Sequence, residues 1–261
     1  MSIQQTAKTR YVDVDGIKVA YRHFGKATGV PLPFNQHFRG TIDHWDPLLI
    51  NTLAKILLFD NYGGKSSGSV LGIFAGWAEV SASLVKALRF KQVDIFGFSM
   101  GGMVAQMIAL NAPDIARRLI IGGSSPSYGE VHSLPIQKKQ RLGREWWARI
   151  NERTEDRSPY VNPEQTARQA GAAGKWFSLG NEETGSYSRL YELKMPVFIA
   201  NKDDDIIVPI ENNILIYKLL QKSNSNAHLH IYPDTGHGFL NEYAEMFAAH
   251  VALFLDMERV V

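Results

Sequence analysis

Apolar residues along this chain fall into two rhythms. Short unbroken runs of branched and aromatic residues recur, and between them lie longer stretches with apolar positions three and four apart. Residues 10–14 and 17–22 alternate around Asp15-Gly16, a dipeptide suited to a tight hairpin turn. Residues 31–36, 56–59, 93–97, 119–121, 195–200 and 229–232 read as six further strands. Helices are expected over 45–53, over 75–88, where Trp77, Val80, Leu84, Val85 and Leu88 share a stripe, and over 103–110. Further helices follow Pro209 and Phe239. Apolar strands alternating with helices of this length imply a mostly parallel sheet covered on both faces.

One stretch breaks the alternation. Residues 127–187 carry no clear strand pattern and read as helical, charged and aromatic, with Trp146-Trp147 and Trp176-Phe177. Gly, Ser and Pro mark its margins, as hinge or exit loops require.

The chemistry concentrates where the run at 93–97 ends. There the chain reads Gly97-Phe98-Ser99-Met100-Gly101-Gly102 and passes into an apolar helix. A serine at the tip of a tight strand-to-helix turn needs small neighbours, so that the two elements can approach. The turn lifts the hydroxyl out of the sheet, and the helix N-terminus offers unpaired N–H groups to a developing negative charge. Downstream, the strand at 195–200 runs into Asn201-Lys202-Asp203-Asp204-Asp205. The strand at 229–232 runs into Pro233-Asp234-Thr235-Gly236-His237-Gly238. Among the eight histidines, His228 and His230 alternate on a strand and face packing or solvent. His237 sits between glycines just past a strand end, free to turn toward a neighbouring strand.

Ser99, an aspartate and His237, in that order on three strand ends, give the chain its resemblance to the α/β-hydrolases over nearly its full length. It is most similar to small serine esterase, haloperoxidase-like and lactonase-type members. The resemblance implies an α/β-hydrolase fold, with 1–126 and 188–261 as core and 127–187 as a helical lid inserted after the sixth strand. It places the acid in D-x-φ-φ-P after the seventh strand, which only Asp205 satisfies, through Ile206, Ile207, Val208 and Pro209. Asp203 and Asp204 are then turn residues. His237 would be the base that activates Ser99, and Asp205 would orient the imidazole. The oxyanion donors would be the backbone N–H groups of Met100 and of Phe38 in the loop after the third strand. Most relatives have glycine where Phe38 stands. His37, Trp146, Trp147 and Trp176 are candidates for lining the substrate pocket, with core packing as the alternative for each tryptophan.

A second departure lies at 59–68, where relatives carry D-x-R-G-x-G-x-S and this chain has Tyr62 for the arginine and Lys65 for the second glycine. The segment reads as structural loop. A phosphate-cradling loop at Gly63-Gly64-Lys65-Ser66 lacks the earlier glycine it needs, because that position is Phe59.

Composition narrows the field. The chain has 261 residues, enough for one α/β domain with a large core, and a net charge of +2 points to neither nucleic acid nor an acidic membrane. With no cysteine, disulfides and cysteine nucleophiles are excluded. No metal-ligand spacing or cofactor motif stands out. The first ten residues lack an apolar signal core and no apolar run reaches a membrane span, so the cytoplasm is the expected compartment. A small-molecule substrate is the expected partner, with a homodimer left open. The expected function is hydrolysis of an ester, thioester or lactone of a small to medium apolar acid through an acyl-enzyme. Carbon–carbon bond hydrolysis, perhydrolysis, and a binding or biosynthetic role without hydrolysis stay open. Dehalogenase and epoxide-hydrolase chemistry is disfavoured, because those nucleophiles are aspartates and position 99 is serine.

Overall fold

The computed structural model describes residues 3–26, 28–53, 55–60, 72–127, 143–178, 185–223 and 226–257. The hairpin forms as its dipeptide requires: β1 (Arg10–Val14) and β2 (Ile17–Gly25) pair antiparallel around Asp15 (φ 52°) and Gly16 (φ 80°). β3 (Leu32–Asn35), a one-turn helix α1 (Pro47–Ile50), β4 (Lys55–Phe59) and α2 (Phe74–Ala87) follow. Next come β5 (Val93–Phe98), α3 (Met100–Asn111) and β6 (Ala116–Gly122). Beyond β6 the described residues form α4 (Gly143–Ile150) and α5 (Pro163–Trp176), with no strand, before β7 (Val197–Lys202). The chain closes with α6 (Ile210–Gln221), β8 (Ala227–Tyr232), α7 (Phe239–Glu242) and α8 (Ala244–Asp256).

Eight strands make one sheet in the order β1-β2-β4-β3-β5-β6-β7-β8. β2 runs antiparallel to β1 and β4, and every other pairing is parallel. The unbroken apolar runs have a simple cause. Successive side chains point to opposite faces of the sheet, and both faces are covered. Ile95, Leu119, Ile121 and Ile199 pack with α2, α3 and α6, whereas Phe96, Ile120 and Phe198 pack with α1 and α8. Parallel strands then bring the carboxyl ends of β3, β5, β6, β7 and β8 to one edge.

The expected helix over 45–53 shrinks to α1. Pro47 disfavours helical backbone at the residue before it, so Asp46 becomes the N-cap, extended at ψ 119°, and accepts from Leu48 N–H at 3.0 Å. At the other end Thr52 turns its hydroxyl back onto Leu49 O at 2.6 Å, competing with continued helix. The departure read at 59–68 lies largely outside the described residues. Of its described part, Asp60 is buried and accepts from Ile42 N–H at 2.8 Å.

Helix α4 and the chain that follows it are attached through buried charge. Arg22 on β2 grips Asp43 with two bonds of 2.5 and 3.1 Å, and neither side chain is exposed. Asp43 also accepts from Ser158 N–H at 2.6 Å, with Arg153 Nε 3.6 Å away. Close by, Arg149 on α4 holds Asp46 through three bonds of 2.6–3.0 Å. Removing one partner of such a cluster leaves unpaired charge in the interior. Asp43→Ala should therefore cost about 3–5 kcal/mol of unfolding free energy in urea denaturation. Arg22→Met combined with Asp43→Leu should recover a large part of that loss. Equal instability of the single and double variants would show that the ion pair is not the source.

Candidate active site

Ser99 stands between β5 and α3 at φ 55°, ψ −123°, backbone that a residue with a side chain adopts only under compulsion. Three glycines supply the compulsion, two by letting backbones touch and one by leaving room for the Ser124 side chain. A Cβ on Gly97 would lie 2.1 Å from Gly101 O, one on Gly101 would lie 2.0 Å from Asn35 O, and one on Gly102 would lie 2.5 Å from Ser124 Cβ. No side chain fits at any of them. Ser99 N–H is tied to Gly122 O at 2.8 Å, and Gly102 N–H to Ser99 O at 2.9 Å. The serine is left partly exposed at the carboxyl edge of the sheet, with Met100 N–H opening α3 behind it.

The loop after β7 carries the carboxylates. Asp205 is 1 % exposed and its Oδ1 accepts from Ile207 N–H at 2.9 Å and Val208 N–H at 3.0 Å. Its Oδ2 lies 2.7 Å from His237 Nδ1. Asp203 and Asp204 are exposed, Asp204 lying 3.7 Å from Lys202 Nζ. The structure thus singles out Asp205 from the three as the partner of His237.

His237 is held from several sides. Its ring lies tilted on Phe98 with centroids 4.9 Å apart. A Cβ on Gly123, where φ is 48°, would sit 3.2 Å from His237 Cε1. Phe98 and Gly123 each adjoin a residue of the Ser99–Gly122 bond, so the imidazole lies beside the serine turn. With Nδ1 on Asp205, Nε2 is buried and has no hydrogen-bond partner among the described residues. Two residues that periodicity does not reveal brace the histidine loop. Lys202, buried at the end of β7, donates to Thr235 O, and Glu242 Oε1 accepts from Gly236 N–H at 3.1 Å.

The loop after β3 completes the edge. His37 packs edge-on against Trp45 and Phe98, with Nδ1 3.1 Å from Phe38 O and Nε2 3.4 Å from His44 O. Burial pushes the His37 pKa down, with the nearby His237 adding to the effect, so the neutral ring donates to one carbonyl at a time. Phe38 itself is exposed. Gly40 N–H closes a turn onto His37 O at 3.0 Å, and Arg39 within that turn has φ 61° and donates its N–H to Gln169 Oε1 at 2.8 Å.

The three tryptophans separate. Trp176 is 3 % exposed, donates to Pro126 O at 3.0 Å and packs edge-on to Phe74, so it is a core residue. Trp146 lines a cavity of about 300 Å³ with Leu48, Arg149, Asn241 and Tyr243, a space that Ser99 and His237 do not line. Trp147 is half-exposed and stacks parallel to Tyr160, which in turn stacks on His44. A buried network missed from sequence pins both ends of the 127–187 stretch. Gln106 on α3 accepts from Ser186 Oγ at 2.8 Å, Ser186 Oγ accepts from Ser127 N–H at 3.1 Å, and Ser127 Oγ accepts from Tyr187 N–H at 2.9 Å. Among the described residues no group of three His, Cys, Asp or Glu side chains could hold a metal, and no helix is long and apolar enough to cross a membrane.

Comparison with known proteins places the chain in a family. The model of a family described as "Alpha/beta hydrolase family" matches residues 35–250. A poly(3-hydroxyalkanoate) depolymerase of Ectopseudomonas oleovorans is 27% identical, over 78% of this chain and 76% of its own. A non-heme haloperoxidase of Rhodococcus erythropolis is 26% identical, over 93% and 97%. A 2-hydroxymuconate semialdehyde hydrolase of Pseudomonas putida is 24% identical, over 69% and 68%. Among solved structures, an alpha/beta hydrolase fold protein from Chitinophaga pinensis superposes with a TM-score of 0.87 at 28% identity, covering 98% of this chain and all of that one.

His44 gives the loop after β3 a pH signature. Buried beneath Tyr160, with Nδ1 accepting from Thr41 N–H at 3.0 Å, it is held neutral, and desolvation lowers its pKa from 6.5 to about 3. As pH falls below about 6.5 the unfolded chain takes up a proton that the folded chain refuses, so folding stability declines toward pH 3. His44→Gln should flatten the dependence of unfolding free energy on pH in that window by up to about 1.4 kcal/mol per pH unit. Urea titrations at a series of pH values measure the slope. An unchanged slope would mean that His44 takes its proton readily in the folded protein.

Proposed function

We propose that this chain, which belongs to the alpha/beta hydrolase family, is a serine hydrolase of an ester, thioester or lactone with a small to medium apolar acyl part. The observation that carries the reading is the 2.7 Å Asp205–His237 pair beside a serine held at φ 55°. In the proposed reaction His237 Nε2 takes the Ser99 hydroxyl proton as Oγ attacks the substrate carbonyl. Asp205 fixes the tautomer in which Nε2 is the acceptor, and stabilises the imidazolium that forms. The negative charge on the carbonyl oxygen is received by the N–H groups of Met100 and Phe38. His237 then gives its proton to the leaving oxygen or sulfur, and an acyl-Ser99 remains. Water, activated by the same imidazole, releases the acid and restores the serine.

The ester reading draws support from the similarity to a poly(3-hydroxyalkanoate) depolymerase, since hydroxy-acid units in a polymer are joined as esters. Similarity to a 2-hydroxymuconate semialdehyde hydrolase favours a second reading, carbon–carbon bond cleavage by the same three residues. In the first reading α4 and α5 act as a lid, with Trp147 and Tyr160 on the approach from the lid side.

A fluorophosphonate probe should label Ser99 and no other residue, as read by mass spectrometry. Ser99→Ala should abolish both labelling and turnover while the protein stays folded. Asp205→Asn should lower turnover roughly 10,000-fold, with Asp203→Asn and Asp204→Asn near wild type. Wild-type turnover in the Ser99 variant would refute the assignment. A panel of esters, lactones and ring-fission diketones then separates the two reactions.

The tryptophans should divide as their environments do. Trp147→Ala should shift preference among ester chain lengths by about 1–3 kcal/mol per methylene in the specificity constant, and leave a short activated ester little affected. Trp176→Ala should instead cost about 3–5 kcal/mol of stability. A Trp147→Ala profile identical to wild type places substrate selection elsewhere.

A further inference from the structure

We infer that Gln169, on helix α5, is a positioning residue for the Phe38 N–H donor, so that the segment between β6 and β7 completes the oxyanion site as well as covering it. The inference rests on the serine-hydrolase reading and extends it. Three contacts from that segment converge on Arg39. Gln169 Oε1 accepts from its N–H at 2.8 Å, Val161 N–H donates to its carbonyl at 3.5 Å, and its guanidinium lies 5.6 Å from the Tyr160 ring centre.

The geometry of the turn says why this residue matters. In a trans peptide the C=O and the N–H point in opposite directions. With His37 O committed to Gly40 N–H, the N–H of Phe38 in the same peptide points away from the turn. The following peptide is held at both ends, Phe38 O lying 3.1 Å from His37 Nδ1 and Arg39 N–H bonded to Gln169. That second bond withdraws the Arg39 N–H from competition as a donor and leaves Phe38 for the task. Arg39 at φ 61° occupies left-handed backbone that favours glycine and persists only when its surroundings hold it. Gln169 is 3 % exposed, so its amide has been desolvated to meet a partner 130 residues away in sequence. Without this acceptor the Phe38–Arg39 peptide can rotate, Arg39 relaxes, and the Phe38 N–H loses its aim. Misplacement by a fraction of an ångström weakens a donor that must meet the oxyanion.

The test uses the full chain, a short activated ester and an arylboronic acid, whose tetrahedral serine adduct places an oxygen in the oxyanion site. Gln169→Met keeps the volume and removes the acceptor, whereas Gln169→Glu keeps an acceptor. The Met variant should lose about 10- to 100-fold in kcat, short of the loss of a whole donor, with KM within roughly threefold. Its inhibition constant for the boronic acid should rise by a similar factor. The Glu variant should stay within roughly threefold of wild type in all three. If the Met variant does not fold, Gln169→Asn withdraws the acceptor by one methylene and replaces it. Unchanged kcat and boronate affinity in a folded Met or Asn variant overturn the inference, as does an equal fall in both Met and Glu variants. A wild-type protein that hydrolyses the ester and is labelled at Ser99 shows that such a failure belongs to Gln169 alone. A wild type that does neither overturns the functional reading as well.

Discussion

Everything at the carboxyl edge of the sheet depends on one close approach, the backbone of α3 pressed against the end of β5 and the start of the β3 loop. Gly97, Gly101 and Gly102 each stand where a Cβ would fall 2.0–2.5 Å from another residue's atoms. That contact sets the sharp return of the chain and forces Ser99 into a conformation costing on the order of 1–3 kcal/mol. The surrounding structure holds it there. β5 is buried along its length, α3 is buried on nearly every side, and Ser99 N–H and O are both hydrogen-bonded. A helix this enclosed cannot slide to relieve the strain. The hydroxyl is therefore presented in one place, against which the loops after β3, β7 and β8 are arranged.

Those loops are fixed by a different device, side chains bonded to main chain. Asp205 gives one oxygen to two N–H groups of its own loop and the other to His237, so a single carboxylate fixes both its loop and the imidazole. Asn201 extends the bracing by donating to Val208 O at 2.9 Å and to Asn213 Oδ1 at 2.7 Å on α6. Lys202 reaches across from the end of β7 to the histidine loop. Rigid strands supply the spacing, and these bonds supply the last fraction of an ångström that loops alone would leave variable.

The strand pattern and the three-residue constellation were legible in the sequence because both are local. An apolar run, a glycine-flanked serine and the D-x-φ-φ-P spacing need only a window of about ten residues. The expected helix over 45–53 overran because Pro47 and the Asp46 cap were outweighed by apolar periodicity. Trp176 was open to either reading, since amphipathic spacing marks a buried face without saying what it is buried against. Gln169, Ala172 and Trp176 share that inward stripe of α5, yet one meets a turn at the sheet edge and another meets Phe74. The Arg22–Asp43, Arg149–Asp46 and Gln106–Ser186 contacts join residues 21 to 103 positions apart, and no local pattern announces them.

Buried ion pairs are poor sources of net stability, because desolvation consumes most of the attraction, but a charge left without its partner is severely penalised. That asymmetry makes Asp43 and Asp46 effective registration marks. Helix α4 and the chain after it can dock only where Arg149 and Arg153 meet these two carboxylates, and both carboxylates lie on the loop that follows β3. The same loop carries His37, Phe38 and Arg39. Docking of the segment and the shape of the loop beside Ser99 are consequently set by one group of contacts. Apolar packing alone would tolerate a helix shifted or rotated on its seat, whereas guanidinium forks on buried carboxylates do not. The cost of burying charge at this place is thus matched to its position, where a displaced loop would shift His37, Phe38 and Arg39 a few residues away.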